Sequence, residues 1–249
     1  MRRAFADWLS ARLGRAGRAP DKTPDTGQAA PDIPFGAVRF GDLRRLTPVS
    51  GEWGFDRGTP VDRYYIERFL ETHAADIRGR VLEVGDDSYT RRFGATRVTQ
   101  ADVLHVRGDD SNATIVADLA HGDVIPSASF DCVVLTQTLH LIYDVRAAIE
   151  TLARILKPGG VLLATFPGIS QIDRGEWKES WYWSFTTRSA RRLFDESFGG
   201  SVEIESHGNV FTAVAFLHGL AFEELQPGEL DLHDPAFELL ITVRAVAPS

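Results

Sequence analysis

The fold is decided by one stretch of the chain, residues 80–90, which reads RVLEVGDDSYT. A short apolar run carrying a single acid, Glu83, stops at Gly85 and continues into small polar residues. The apolar residues suit a buried parallel strand, and glycine lets the backbone turn sharply and lets a ligand come close. Ligands of open α/β sheets bind beyond the carboxyl ends of the strands. Taken alone, the stretch predicts either a strand that meets a ligand or a core strand followed by an ordinary turn.

Composition excludes several classes of function. The 249 residues are 43% hydrophobic and 25% charged, as in soluble globular proteins. A formal charge of −8 argues against nucleic acid as a partner. Cys132 is the only cysteine, so the chain forms no internal disulfide, and a reducing, cytoplasmic location is expected. No apolar run reaches the roughly 18 residues that span a membrane, and no pattern of acids or histidines predicts a metal site.

The N-terminal part is expected to lie outside the folded domain. Residues 1–18 have the pattern of a basic amphipathic helix, which predicts either weak contact with a membrane surface or a protein or a frayed tail. Residues 19–34 are rich in proline and small polar residues and are expected to be a disordered linker. The remaining residues, 35–249, are predicted to form one domain.

Within that domain, apolar β-type runs alternate with helical patterns, which predicts a parallel sheet with right-handed crossovers. The predicted strands are 81–85, 97–101 (ending at Asp102), 114–116, 129–136, 161–166, 201–206 and 237–245. The predicted helices are 60–75, 145–156, 187–197 and 210–225. Two long segments, 51–63 and 167–186, are rich in aromatic residues. The first either closes over a ligand or is simply packed, and the second is expected to act as a lid.

Five motifs occur in order along the chain. They are Val81–Gly85, an acid at Asp102, Ala117–Leu119, Phe130–His140 and Arg154–Leu163. Together they resemble the class I S-adenosylmethionine-dependent methyltransferases, most closely the type 11-like proteins that modify small molecules and glycans. The resemblance implies a Rossmann-like α/β fold. Its sheet would have seven mostly parallel strands with an antiparallel last strand, helices on both faces and a C-terminal insertion at about 207–236.

The resemblance also implies S-adenosyl-L-methionine as the cofactor. Asp102 would accept from the ribose hydroxyls, Asp118 would accept from the adenine amino group, and Glu83 would orient the loop or act as a hydrogen-bonded structural acid. The implied cofactor-binding residues are Glu83, Val84, Gly85, Asp86, Asp102, Val103, Asp118, Leu119, Thr136 and Gln137. The family usually has Gly-x-Gly-x-Gly after the first strand, whereas this chain has Gly85 followed by Asp-Asp-Ser-Tyr. The loop is therefore expected to take a different course, with Asp86 accepting from the methionine ammonium.

Methyl transfer to a hydroxyl needs an aligned acceptor and a group that removes its proton. His140 is the predicted catalytic base because histidine titrates near neutral pH, with packing at a helix start as the alternative. The predicted substrate-binding residues are Arg57, Tyr64, Trp177, Trp181 and Trp183. Aromatic rings of this kind line acceptor pockets or form a satellite hydrophobic cluster.

The sequence therefore predicts a methyltransferase that acts on a hydroxyl of a small molecule or saccharide. The alternative is a non-catalytic binding or scaffold protein that keeps the fold with a degenerate cofactor loop. A nicotinamide-dependent oxidoreductase is disfavoured, because no Gly-x-Gly-x-x-Gly follows the first strand.

Overall fold

The computed structural model describes residues 33–108 and 111–248. The predicted helix at 1–18 and nearly all of the predicted linker lie outside these residues. The chain divides into two units, Met1–Arg39 and Phe40–Ser249. In the first unit, the described residues contain a turn in which the Ala37 N–H donates to the Pro34 carbonyl at 2.9 Å. All the helices and strands below belong to the second unit.

A seven-stranded sheet forms the centre of the second unit, and its strands have the order β3-β2-β1-β4-β5-β7-β6. Their bounds are β1 Gly79–Val84, β2 Val98–His105, β3 Ile115–Val116, β4 Phe130–Thr136, β5 Leu156–Pro167, β6 Val202–His207 and β7 Leu240–Val246. Strand β7 is antiparallel to both of its neighbours, and the remaining pairs are parallel. The predicted fold, with its antiparallel last strand, is confirmed.

Helices cover both faces of the sheet, as predicted. They are α1 Val61–Thr72, α2 Val145–Ile155, α3 Thr187–Phe198, α4 Val210–Leu217 and α5 Pro227–Asp231. Helices α2 and α3 pack on one apolar cluster, and α1, α4 and α5 pack on the cluster across the sheet. The predicted helix 210–225 ends at Leu217, because Gly219 adopts a positive φ of 68°. None of the described helices is both long and apolar enough to cross a membrane.

The second strand runs further than its sequence indicates. It was predicted to end at Asp102, but β2 continues to His105 because Val103 and Leu104 are buried and pair with Glu83 and Val84 of β1. Asp102 therefore lies inside the strand, three residues before its carboxyl end. This difference changes the residue that reaches the edge of the sheet where a ligand is expected.

Candidate cofactor and acceptor site

The loop after β1 leaves its backbone open to a ligand. Gly85 adopts a φ of 93°, a conformation that favours glycine, and its N–H donates to the Leu104 carbonyl at 3.1 Å. A Cβ built on Gly85 would meet no heavy atom within 4 Å. The first glycine of the motif thus keeps the accessible backbone that the sequence predicts.

The four residues after Gly85 replace the missing glycines with side-chain contacts. Asp86 Oδ1 accepts from the Ser88 N–H at 2.7 Å and from the Ser88 hydroxyl, which makes a turn that short polar side chains stabilise. Asp87 forms an ion pair with Arg91 at 2.7 Å. One oxygen of Asp86 is therefore already used within the loop.

The side chain of Glu83 holds this loop in place through hydrogen bonds from its backbone. Its side chain is buried, and it accepts from the backbone N–H groups of Thr90 at 2.7 Å and Tyr89 at 3.3 Å. These groups begin the π-helical turn Thr90–Gly94. Burial raises the pKa of Glu83 to about 7, and the hydrogen bonds from Thr90 oppose that rise. Glu83 orients the loop, which is one of the two roles considered for it.

Asp102 does not reach the edge of the sheet, which corrects its predicted position. It is 6% exposed, and its carboxylate accepts from Arg80 Nε at 2.7 Å, Gln100 Nε2 at 3.0 Å and Thr114 Oγ1 at 3.2 Å. Its neighbour Val103 is also buried within β2. These partners satisfy the carboxylate inside β2, which favours a structural role for Asp102 over the predicted contact with the ribose.

His105 stands at the carboxyl end of β2 instead. Its Nε2 lies 2.6 Å from the carbonyl oxygen of Gly85, so the ring joins the end of β2 to the open loop after β1. The motif spacing in the sequence pointed to Asp102, and His105 was missed because the end of the strand was placed three residues too early.

Asp118 and Leu119 follow β3 at the same edge. Asp118 is exposed, and its Oδ1 accepts from the Ala120 N–H at 2.8 Å, which caps the 3-10 turn that follows. Leu119 is 3% exposed and packs into the core. Of Asp102 and Asp118, only Asp118 presents its carboxylate at this edge.

The exit of β4 carries an unusual backbone conformation. Gln137, which directly follows Thr136, has a φ of 46°, and its N–H donates to the Thr165 carbonyl at 2.8 Å. Its Nε2 donates to Asp62 Oδ2 at 3.0 Å. Left-handed non-glycine residues cost about 1 kcal/mol or more and concentrate at functional sites. Asp62, in the first turn of α1, was missed as a partner because 75 residues separate it from Gln137.

His140 lies in the 3-10 turn Leu139–Leu141 and is 2% exposed. Its ring packs on Trp181 with a centroid distance of 4.3 Å, and burial lowers its pKa to about 3. Among the described residues, Nδ1 has no hydrogen-bond partner. The geometry fits the alternative of a packed histidine, because a ring with so low a pKa is neutral at physiological pH.

The aromatic lid divides into an inner and an outer part. Trp181 faces inward and stacks on Trp53 at 6.4 Å with an interplanar angle of 11°. Trp183 pairs instead with Tyr143 at 6.1 Å and is 38% exposed, and Trp177 is 43% exposed. The structure therefore brings one of the three predicted tryptophans, Trp181, against His140.

Arg57 and Tyr64, which are predicted to bind substrate, each contact an acidic side chain of the segment between β6 and β7. Arg57 Nε donates to Glu224 at 3.0 Å, and the Tyr64 hydroxyl donates to Asp231 at 2.7 Å. Both contacts tie the region of α1 to the segment between β6 and β7. Their polar groups stabilise this packing.

Cavities do not locate the site. One of about 730 Å³ lies at the amino ends of the strands, beside Gly79 and Asp131, and one of about 530 Å³ lies between α1 and β6. Neither is lined by any predicted site residue.

Within the described residues, no group of His, Cys, Asp and Glu side chains is arranged to hold a metal ion.

Comparison with known proteins finds a family match for part of the chain. Residues 63–164 match the family described as "Methyltransferase domain". None of the curated proteins matches the chain. Similar folds occur in many solved structures.

Three of these solved structures illustrate the likeness. A SAM-dependent methyltransferase from Archaeoglobus fulgidus has 9% identity and a TM-score of 0.50, covering 74% of this chain and 94% of that one. A putative methyltransferase from Bacillus halodurans C-125 has 15% identity, a TM-score of 0.49 and coverage of 74% and 99%. Phosphoethanolamine N-methyltransferase 2 from Haemonchus contortus, in complex with S-adenosyl-L-methionine, has 16% identity, a TM-score of 0.47 and coverage of 80% and 60%.

These identities are too low to carry a substrate, so the likeness to solved structures is one of fold. The family match spans α1 to β5, which includes Glu83, Gly85, Asp118 and Gln137. Residues 63–164 are therefore similar to the methyltransferase domain family, and the sheet built around them has the fold of the S-adenosylmethionine-dependent methyltransferase from Archaeoglobus fulgidus.

Proposed function

We propose that the protein binds S-adenosyl-L-methionine at the carboxyl ends of β1 and β4 and transfers its methyl group to a hydroxyl of a small molecule or saccharide. One observation carries the proposal. The strand order reverses between β1 and β4, and each strand is followed by a residue in the left-handed conformation, Gly85 and Gln137. Ligands of doubly wound sheets bind at such a switch point.

The residues at this edge fit the cofactor in part. Gly85 leaves room for a ligand against its backbone, and Glu83 keeps the loop in place beneath it. Asp118 presents an exposed carboxylate suited to an amino group such as that of adenine. The ribose end of the cleft carries His105 at the position where an acid was expected, so recognition there differs from the family pattern. When bound, S-adenosyl-L-methionine supplies an electrophilic methyl group.

The acceptor side is formed by Trp53, Trp181 and His140. Stacked aromatic rings suit the face of a sugar or a planar ring, and Trp53 itself has a strained φ of 53°. A ring with a pKa of about 3 binds a proton poorly at neutral pH but still accepts a hydrogen bond. Because Nδ1 is buried, we assign His140 to packing against Trp181 on the acceptor side, in place of the proton transfer expected from its sequence position.

Calorimetry with S-adenosylhomocysteine tests the proposal most directly. Saturable binding is expected, and a methyl-release assay with hydroxyl-bearing acceptors then identifies the substrate. A complete lack of binding at millimolar ligand would refute the proposal.

The second candidate function is a non-catalytic binding protein, and the closed turn between Asp86 and Ser88 favours it. Titration of the protein with S-adenosylhomocysteine separates the two candidates. Binding supports the methyltransferase, whereas its absence in a folded protein supports the second candidate.

A further inference from the structure

A charged pair on α1 faces the exit of β4, and neither of its members belongs to the predicted cofactor site. Asp62 is 6% exposed, and its Oδ2 accepts from Gln137 Nε2 at 3.0 Å and from an Arg63 guanidinium nitrogen at 3.1 Å. Both contacts use the same carboxylate oxygen. Neither of these two bonds uses Oδ1, the second oxygen of the buried carboxylate.

Arg63, the residue after Asp62 on α1, carries a positive charge that acts on the loop that lacks glycines. Its side chain is 25% exposed, and its guanidinium carbon lies 5.8 Å from the centre of the Phe55 ring. Burial raises the pKa of Tyr89, a residue of that loop, and the positive charge of Arg63 opposes the rise. The guanidinium thus lies close enough to the loop to act on it, and Asp62 is its ion-pair partner within the described residues.

A cation and a carboxylate side by side match a zwitterion. Guanidinium groups bind carboxylates through paired N–H donors, and a mostly buried carboxylate gains from a further cation or donor. The loop of Gly85 offers fewer accessible backbone groups than a Gly-x-Gly-x-Gly loop, because its later residues carry side chains. A side-chain contribution from α1 would compensate for the lost backbone contacts.

We propose that Arg63 and Asp62 bind the amino-acid end of the cofactor, with Arg63 on the carboxylate and Asp62 Oδ1 on the ammonium. Gln137 holds the Asp62 side chain in place from the exit of β4. In this chain, side chains of α1 supply some of the contacts with the cofactor that the backbone of a glycine-rich loop usually supplies. The assignment rests on the proposed function, since it needs a ligand of this kind in the cleft.

Two ligands distinguish binding of the amino-acid end by Arg63 and Asp62 from binding of the adenosine part. S-adenosylhomocysteine carries the amino-acid end, and 5′-methylthioadenosine has the same adenosine and sulfur without it. We expect the wild-type protein to bind S-adenosylhomocysteine at least tenfold more tightly. Arg63→Gln and Asp62→Asn are each expected to weaken binding of S-adenosylhomocysteine at least tenfold and to change binding of 5′-methylthioadenosine less than twofold.

Arg68→Gln is the matched control on the same helix. Arg68 pairs with Asp231 on the outer side of α1, so its loss should leave the affinity of both ligands unchanged. Thermal unfolding of each variant shows that the fold is retained.

Three results would overturn the assignment. They are an Arg63→Gln variant that binds S-adenosylhomocysteine like the wild type, an equal loss of both ligands in that variant, and equal wild-type affinities for the two ligands. Wild-type protein that binds neither ligand would refute the proposed function itself, and this assignment with it.

Discussion

Asp102→Ala should cost stability and leave cofactor affinity intact. The carboxylate is buried in the middle of β2, where it accepts hydrogen bonds from Arg80, Gln100 and Thr114. Removing one partner of a buried ion pair costs about 3–5 kcal/mol. The side chain of Arg80 is 35% exposed and regains some hydration, so we expect a loss of about 2–3 kcal/mol.

Urea unfolding and calorimetry together measure this prediction. For a domain of this size, each kcal/mol lowers the melting temperature by about 2–4 °C, so we expect a fall of about 5–10 °C. Asp118→Ala is the matched control, because its carboxylate is exposed at the edge of the sheet and caps only a short turn. That change should cost about 1 kcal/mol or less and should weaken S-adenosylhomocysteine binding.

The opposite pattern would refute the reasoning. If Asp102→Ala weakened S-adenosylhomocysteine binding more than tenfold while the free energy of unfolding stayed constant, the carboxylate would have to contact the ligand. Strand β2 would then end near Asp102, as its sequence spacing indicates. A double-mutant cycle with Arg80→Ala adds an independent check. A coupling energy near zero would show that the ion pair between Arg80 and Asp102 does not stabilise the fold.

Three further predictions concern the floor of the site. Gln137→Gly should change the free energy of unfolding by less than about 1 kcal/mol, because relief of the positive φ is offset by loss of the hydrogen bond to Asp62, and it should weaken S-adenosylhomocysteine binding. Ala95→Gly, at a φ of 49°, should stabilise the fold without changing binding. Glu83 has a pKa of about 7 in the folded state, against an ordinary value of 4.5. The free energy of unfolding should therefore fall by up to about 3 kcal/mol as the pH rises from 4.5 to 7. In Glu83→Gln, the urea midpoint should depend less on pH over this interval. His140→Phe should raise the melting temperature, because it removes an unpartnered buried nitrogen worth about 1–3 kcal/mol.

Each of these predictions has a result that contradicts it. Unchanged ligand affinity in Gln137→Gly would separate the side chain from the site. Identical pH profiles for the wild type and Glu83→Gln would mean that the pKa of Glu83 is the same in the folded and unfolded states. A fall in melting temperature for His140→Phe would show that His140 makes a polar contact that stabilises the fold.

The sequence was sufficient for the fold because its signals are local or periodic. Buried strands such as β4 are continuous apolar runs, and the helix α2 has a clear apolar face. Gly85 and Glu83 were also predictable, since the turn after β1 needs a glycine and an acid to receive the N–H groups that follow. Each of these features depends on residues that are close to one another in the sequence.

The rest of the site depends on distances that spacing does not encode. The end of β2 is set by the burial of Val103 and Leu104 against β1, and motif spacing alone placed it at Asp102. The contact between Gln137 and Asp62 joins two elements far apart in the sequence. Trp181 and Trp183 look equivalent in the sequence, but Trp181 packs against Trp53 and His140, whereas Trp183 stacks on Tyr143.

The position of β7 has a consequence for the way the chain folds. Strand β6 pairs only with β7 in the sheet, and β7 also covers the edge of β5. While residues 240–246 are still inside the ribosome, β5 ends the sheet with an unprotected apolar edge and Val202–His207 has no strand to join. Exposed edges of this kind recruit other chains, and contacts as distant as Val161 with Val246 form slowly. The interval between synthesis of β5 and arrival of β7 is therefore the period in which the growing chain is most prone to aggregate.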